Sequence, residues 1–125
     1  MNAKILVVDD SSLARRTLRQ ILEREGHVVE EASDGAQAIE RYYINRHDLI
    51  FLDIVMEGMY GLEVLTKIIA INAEAKVVVA TADIQKSTRE EVRESGGAAL
   101  INKPFNHDEI VRVVATVLEG GMAWT

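Results

Sequence analysis

The sequence predicts a doubly wound α/β fold in which five parallel strands form one sheet and five helices cover its two faces. Short apolar runs alternate with amphipathic stretches along the chain, which is the pattern of such folds. Polar residues follow four of the apolar runs, as expected where buried strands emerge at one edge of a sheet. The 125 residues, 48% of them apolar, suffice for one core. We expect one domain over residues 1–120, with 121–125 as a tail or the start of a linker.

The first half of the pattern predicts a strand over 4–9, a helix over 12–25, a strand over 27–32, a helix over 35–46 and a strand over 48–53. The first helix has one apolar stripe, made of Ala14, Leu18, Ile21 and Leu22. Ser11 or Ser12 can cap its first turn and Gly26 can end it. Glu30 and Glu31 make the second strand more polar than the first, third and fourth, so we place it at an edge. The flavodoxin-like strand order 2-1-3-4-5 satisfies this condition.

The second half predicts a helix over 61–72, a strand over 76–81, a helix over 85–95, a strand over 98–102 and a helix over 106–119. The last helix repeats the amphipathic spacing with Ile110, Val114, Val117 and Leu118. Asn106 or His107 can begin it, and Gly120 can stop it. Its stripe is therefore interpreted as core.

Charge and composition exclude several function classes. The 14 basic residues against 20 acidic ones give a net charge of −6, which disfavours direct nucleic-acid binding. Four arginines of the first helix are interpreted as a solvated basic face: Arg15, Arg16, Arg19 and Arg24. The chain has no cysteine and no apolar run of membrane-spanning length, so we expect a cytoplasmic protein without membrane contact. His27, His47 and His107 begin predicted elements, which favours surface or capping roles.

Reactive side chains follow the predicted strands at their carboxyl ends. Asp9 and Asp10 follow the first strand, Asp53 ends the third, Thr81 ends the fourth and Lys103 follows the fifth. Because parallel strands share this edge, where α/β sheets bind ligands, we expect the five side chains to converge.

The three carboxylates would repel one another without a cation, and their oxygen atoms are the ligands that Mg²⁺ prefers. With a metal in place, an aspartate oxygen can attack phosphorus and form an acyl phosphate. Lys103 can then supply positive charge to the phosphoryl oxygens, and the Thr81 hydroxyl can donate to one of them. The set of residues therefore favours phosphoryl transfer.

At these residues the chain resembles the receiver domains of two-component response regulators, specifically the stand-alone chemotaxis type. The resemblance covers nearly the whole chain and rests on four segments: Val8-Asp9-Asp10-Ser11, Leu52-Asp53-Ile54-Val55-Met56, Ala80-Thr81-Ala82 and Lys103-Pro104-Phe105. It implies that Asp53 is the phosphoacceptor. It also implies a Mg²⁺ site in which Asp10 binds the metal directly, Asp9 acts largely through water, and Asp53 and the Val55 carbonyl complete the protein ligands.

The resemblance also implies a signalling switch that catalyses its own phosphorylation and dephosphorylation, rather than an ordinary enzyme. Thr81 would move toward the phosphoryl group, Lys103 would pair with Asp53, and the Lys103-Pro104 bond would be cis. The implied donor is a sensor histidine kinase or a histidine phosphotransfer protein. The implied output is a protein target at the fourth helix, fifth strand and fifth helix, with a monomer or a weak phosphorylation-dependent dimer.

Two departures from the family pattern concern the output step. Glu57 stands where receivers commonly have proline, and Leu100 stands three residues before Lys103, where many receivers have an aromatic switch residue. We therefore expect signalling to depend on Thr81 and the loop after it. Val55 and Asp83 lie where family members tune water access and phosphate lifetime.

Three alternative functions are weighed against this interpretation. A phosphohydrolase of the haloacid dehalogenase kind would need an acid two residues after the nucleophile, where Val55 stands. A flavin-binding module would need a neutral phosphate loop after the first strand, and Asp9 and Asp10 would repel the phosphate. A receiver-like interaction module that works without phosphorylation would be expected to lack pocket residues, and none is missing.

Overall fold

The computed structural model describes residues 2–56, 60–82, 85–122 and 124. Its elements are β1 (Lys4–Val8), α1 (Ser12–Arg24), β2 (Val28–Ala32), α2 (Gly35–Asn45), β3 (Leu49–Leu52), α3 (Gly61–Ile71), β4 (Val77–Thr81), α4 (Lys86–Glu94), β5 (Ala99–Asn102) and α5 (His107–Leu118). Each element begins and ends within one residue of its predicted bounds. Glu57 and Asp83, for which the sequence suggests effects on output and phosphate lifetime, lie outside the described residues.

The five strands form one parallel sheet in the order β2-β1-β3-β4-β5. This confirms the flavodoxin-like order, and β2 lies at the predicted edge. Val8 is level with Leu52 across β1 and β3, and Thr81 is level with Asn102 across β4 and β5. The residues that follow these positions therefore leave the sheet at the same edge.

Helices cover both faces of the sheet because its strand residues alternate between two apolar clusters. Ile5 and Val7 of β1 pack with the buried residues of α1 and α5. Leu6 and Val8 face the opposite side, where α2, α3 and α4 supply the partners. Leu100, at the position where many receivers have an aromatic residue, is partly buried against this second cluster. A sheet buried on both faces explains why the strands are nearly continuous apolar runs.

Side-chain caps fix the starts of the helices that flank the sheet edge. The Ser11 hydroxyl accepts a hydrogen bond from the Ala14 amide, and the Asn106 side chain accepts one from the Glu109 amide. Both were predicted as alternatives, and the structure selects Ser11 and Asn106. Gly26, with φ +89°, follows the end of α1 as predicted. None of the helices in the described part of the chain is long and apolar enough to cross a membrane.

His47 is buried, so the surface or capping role predicted for it is wrong. Only 4% of the residue is exposed, and its Nε2 atom lies 2.6 Å from Glu30 Oε1. Its Nδ1 atom has no hydrogen-bond partner among the described residues. Burial lowers the pKa of His47, and this effect outweighs the opposing hydrogen bond and charge of Glu30. The neutral ring fits this environment, because a protonated ring would bury an unpaired N–H.

We expect His47 to make the protein less stable in mild acid. The unfolded chain takes up a proton at the ordinary histidine pKa of 6.5, whereas the folded protein resists it. The stabilisation is therefore complete above pH 6.5 and is lost as the pH falls toward the lower folded pKa. The loss can reach about 1.4 kcal/mol per pH unit in that window. Urea unfolding between pH 7.5 and 5 should show a smaller fall in the free energy of unfolding for His47→Gln than for wild type.

Exposed His107 supplies the control for this comparison. Burial also lowers the pKa of His27, so His27 likewise reduces the free energy of unfolding in mild acid. This contribution is present in the wild type, in His47→Gln and in His107→Gln, and it cancels when they are compared. His107→Gln removes an exposed histidine and should leave the contribution of His47 in place. Equal profiles for wild type and His47→Gln would show that His47 does not carry the effect.

Candidate functional site

The acidic residues meet at the carboxyl edge of the sheet because β1 and β3 are neighbours in register. The Asp53 amide donates to the Val8 carbonyl at 3.0 Å, which continues the β1–β3 pairing by one step. Asp9 and Asp53 are 4% and 6% exposed, so two carboxylates are buried at the edge. Buried carboxylates require a compensating charge or hydrogen bonds.

Lys103 supplies the compensating charge and joins the two carboxylates. Its Nζ atom lies 2.5 Å from Asp9 Oδ2 and 2.8 Å from Asp53 Oδ2. Burial of the ammonium lowers the pKa of Lys103, but the hydrogen bonds and charges of Asp53 and Asp9 outweigh it. The pKa of Lys103 therefore lies above the ordinary lysine value. The ammonium stays charged between two buried acids.

The other carboxylate oxygens are held by the backbone of their own turns. Asp9 Oδ1 accepts a hydrogen bond from the Ser11 amide at 2.9 Å, and Asp53 Oδ1 accepts one from the Val55 amide at 2.9 Å. Such bonds two residues along the chain are the usual turn role of aspartate. The same bonds restrict both carboxylates in orientation.

Thr81 and Lys103 are connected through the backbone at the ends of β4 and β5. The Lys103 amide donates to the Thr81 carbonyl at 3.0 Å, and the following Lys103–Pro104 peptide bond is cis, as the resemblance implied. Thr81 is fully buried. Asp10 and Val55 lie at the solvent side of the edge, where Val55 is 59% exposed. The structure thus joins Asp9, Asp53 and Lys103 directly, with the other three predicted residues on adjoining segments.

The donor set fits a hard divalent cation by its chemistry. Asp9, Asp10 and Asp53 bring three carboxyl groups to this edge, Lys103 contacts two of them, and all the donors are oxygen atoms. Within the described residues, no group of three acidic or histidine side chains is spaced as a ready metal cluster. Two of the acids, Asp9 and Asp53, are joined by the Lys103 ammonium.

Arg15 is a residue of this site that the sequence interpretation missed. Its Nη1 atom donates to the Asp9 carbonyl at 2.6 Å, and its Nε atom donates to Glu31 at 3.0 Å. Arg19 donates to the other Glu31 oxygen at 2.7 Å. The prediction of a solvated basic face is therefore wrong for Arg15, whose side chain is 17% exposed, whereas Arg19 pairs with Glu31 and stays 39% exposed. The hydrogen bond from Arg19, helped by that from Arg15, lowers the pKa of Glu31 despite its partial burial.

A signal for this network was present in the sequence. Glu31 interrupts the apolar pattern of a strand next to β1, and Arg15 and Arg19 lie one helical turn apart on α1. Opposite charges on neighbouring elements indicate pairing once the strand order is known. The backbone bond from Arg15 to Asp9 has no such signal, because a carbonyl exists at every position.

Three kinds of comparison agree on the relatives of this chain. A family model described as the response regulator receiver domain matches residues 5–115. The chain is 35% identical over 119 residues to the chemotaxis protein CheY of Bacillus subtilis, covering 94% of this chain and 99% of that protein. It is 36% identical over 110 residues to sporulation initiation phosphotransferase F of the same organism, covering 88% and 89%. A CheY-like receiver domain structure from Methanospirillum hungatei superposes with a TM-score of 0.91 at 26% identity, covering 96% of both chains.

Proposed function

Because this chain belongs to the response regulator receiver domain family, whose members are phosphoacceptors of two-component signalling, we propose that Asp53 is its phosphoacceptor. The observation that carries the proposal is the Asp53 carboxylate itself. It is buried at the sheet edge, held by the Val55 amide, and lies 2.8 Å from the Lys103 ammonium. Asp9 is also buried at a strand end against this ammonium, so the position of Asp53 in the family's Leu52-Asp53 segment is what distinguishes it as the proposed acceptor.

In the proposed reaction an Asp53 carboxylate oxygen attacks phosphorus and forms an acyl phosphate. The bond from phosphorus to the donor's histidine nitrogen breaks, and its electron pair stays on the imidazole. Asp10, Asp53 and the Val55 carbonyl, with Asp9 acting largely through water, would hold Mg²⁺, which would supply positive charge to the phosphoryl oxygens. Lys103 remains the protein's own cation at the site, and its raised pKa keeps it charged throughout. Hydrolysis of the acyl phosphate at the same site completes the self-catalysed cycle.

The proposed switch starts from the charge that the phosphoryl group adds, about −1.5 to −2. The Lys103 ammonium then faces a phosphoryl oxygen as well as a carboxylate. The Thr81 hydroxyl can donate a hydrogen bond to another phosphoryl oxygen. Thr81 ends β4, and the segment after it leads into α4, so a movement of Thr81 reaches α4 first. The proposed output surface is therefore α4, β5 and α5.

Receiver domains act with histidine kinases or phosphotransfer proteins and with downstream targets. For this chain we propose a sensor kinase or phosphotransfer protein as donor and a protein, not nucleic acid, as target. A monomer or weak dimer and a cytoplasmic location stay predictions.

Acetyl phosphate with Mg²⁺ tests the proposed acceptor directly. Intact mass measurement should show one added phosphoryl group on the wild type and none on Asp53→Asn, with Asp48→Asn as a control that still gains it. EDTA should abolish the gain. An unmodified wild type under these conditions would favour the phosphorylation-independent interaction module instead.

We expect Arg15→Met to slow phosphorylation because the turn that carries Asp9 and Asp10 loses its support. A hydrogen bond from a charged donor contributes about 1.5–3 kcal/mol, which corresponds to about a tenfold or larger change in an equilibrium constant. The Mg²⁺ concentration for half-maximal phosphorylation by acetyl phosphate should rise about tenfold. Arg16→Met, at the neighbouring exposed position, is the matched control. An unchanged Mg²⁺ requirement in Arg15→Met would show that this bond does not position the acids.

A further inference from the structure

Trp124, the single tryptophan of the chain, packs onto α4 although the sequence assigns it no role. Its indole Nε1 atom donates to the Gly97 carbonyl at 3.2 Å. The guanidinium carbons of Arg89 and Arg93 lie 5.5 Å and 5.8 Å from the ring centre. The ring is partly buried against the apolar cluster that includes Val92. The indole ring thus makes one hydrogen bond, lies near two guanidinium groups and packs against an apolar cluster.

The residues that hold this ring form a fixed site. Arg89 and Arg93 lie one turn apart on α4, so both guanidinium groups reach the same surface. The Gly97 amide donates to the Val92 carbonyl at 2.9 Å, which ties the turn after α4 to the helix. A Cβ at Gly97 would lie 2.6 Å from Val92 Cγ1, so the turn can pack this closely only with glycine. The Gly97 carbonyl is therefore a hydrogen-bond acceptor in a fixed position.

We propose that Arg89, Arg93, Val92 and the Gly97 carbonyl form an aromatic docking subsite for a partner protein that presents an indole side chain. In the free protein Trp124 occupies this subsite as an intramolecular competitor. The Gly97 carbonyl selects a ring that carries an N–H donor, which distinguishes tryptophan from phenylalanine. That α4 is the output surface rests on the proposed function, whereas the occupied subsite rests on the contacts alone.

The short tether makes this competition effective. α5 ends at Leu118, and only five residues separate it from Trp124, including Gly120 with φ +89°. A short tether of this kind gives an effective concentration in the millimolar range. A partner must compete with this ring, so its apparent dissociation constant rises by a factor of one plus the ratio of the effective concentration to the dissociation constant of the ring. The tail therefore raises the affinity that a partner needs at α4.

Binding of a peptide in trans tests the subsite in the unphosphorylated 125-residue chain. The probe is the acetylated peptide Gly-Gly-Met-Ala-Trp-Thr, which copies residues 120–125, with its Trp→Ala version as control. We expect Trp124→Ala to bind the tryptophan peptide with millimolar affinity. In an NMR titration, the backbone amide chemical shifts of Arg89, Arg93 and Gly97 should change. Wild type should bind it at least about twofold more weakly, because its own ring, at a millimolar effective concentration, competes for the site with a similar affinity. Absence of binding to Trp124→Ala, or equal binding by both proteins, would overturn the proposal.

Tryptophan fluorescence gives a second measurement that does not depend on the peptide. Acrylamide should quench Trp124 in the wild type at least about twofold less than in an Arg89→Gln/Arg93→Gln variant, because the ring is partly covered. Arg24→Gln, an exposed arginine of α1, should leave quenching unchanged. Quenching in wild type equal to that of the free peptide would count against the docked ring. A protein that passes these tests but takes no phosphoryl group from acetyl phosphate would retain the subsite and lose the proposed acceptor.

Discussion

Lys103→Met is expected to lower the free energy of unfolding by about 2–4 kcal/mol in the presence of EDTA. Removing the ammonium leaves Asp9 and Asp53 buried and facing the same space without a counter-charge, and breaking a buried pair is strongly destabilising. The Lys103 side chain is 21% exposed, so water can reach the two carboxylates and partly solvate them. The expected loss in the free energy of unfolding is therefore at the lower end of the range for buried ion pairs. Urea unfolding followed by circular dichroism measures the loss.

Magnesium should restore a large part of that stability, and this response separates electrostatics from packing. A divalent cation replaces the missing positive charge between the carboxylates, so Lys103→Met should gain more from Mg²⁺ than the wild type does. Lys67→Met, on the exposed side of α3, serves as the control and should show neither the loss nor the added response. A loss in Lys103→Met that is indifferent to Mg²⁺ would indicate a packing effect and count against an acidic metal site.

Gly61→Ala is expected to destabilise the protein by about 3 kcal/mol or more, although alanine is the better helix former by about 1 kcal/mol. A Cβ at Gly61 would lie 2.1 Å from Ile54 Cα and 2.7 Å from the Asp53 carbonyl oxygen. Both are backbone atoms of the loop after β3, and the Gly61 amide donates to the Ile54 carbonyl there. The loop must therefore shift for the methyl group to fit. Thermal unfolding should show a fall in Tm of about 10 °C.

Gly120→Ala provides the matched comparison for this effect. A Cβ at Gly120 would meet nothing within 4 Å, so only its φ of +89° opposes the substitution. Such backbone strain costs about 1–2 kcal/mol. Gly61→Ala should also slow phosphorylation, because the shifted loop carries Asp53, whereas Gly120→Ala should not. A Gly61→Ala protein as stable as the wild type would contradict the close approach of α3 to this loop.

The fold was predictable from the sequence because its signals are local. Apolar runs of four residues, such as Leu49 to Leu52, and stripes with helical spacing, such as Leu18 and Leu22, are set by burial of nearby residues. Each observed element lies within one residue of its prediction. The strand order followed from the polar character of β2, where Glu30 and Glu31 lie at the edge.

Contacts between distant side chains were less predictable. The prediction for His47 was wrong because its position at the start of β3 resembles a surface position, while its burial depends on how Glu30 and Tyr42 pack around it. Arg15 was assigned to solvent because helical spacing cannot reveal a carbonyl on a neighbouring turn. Trp124 reaches α4 through contacts that no periodicity encodes.

The element order, the parallel sheet and the set of polar residues at its edge could all be predicted from the sequence, because they depend on periodicity and on the shared direction of parallel strands. The contacts within that set could not be predicted and are known from the packed structure. It placed Lys103 against Asp9 and Asp53, which lie 94 and 50 residues away along the chain. It also held Asp9 with Arg15 and covered α4 with Trp124. A hydrogen bond requires atoms within about 3 Å, and only the packing of distant strands and helices brings these atoms so close.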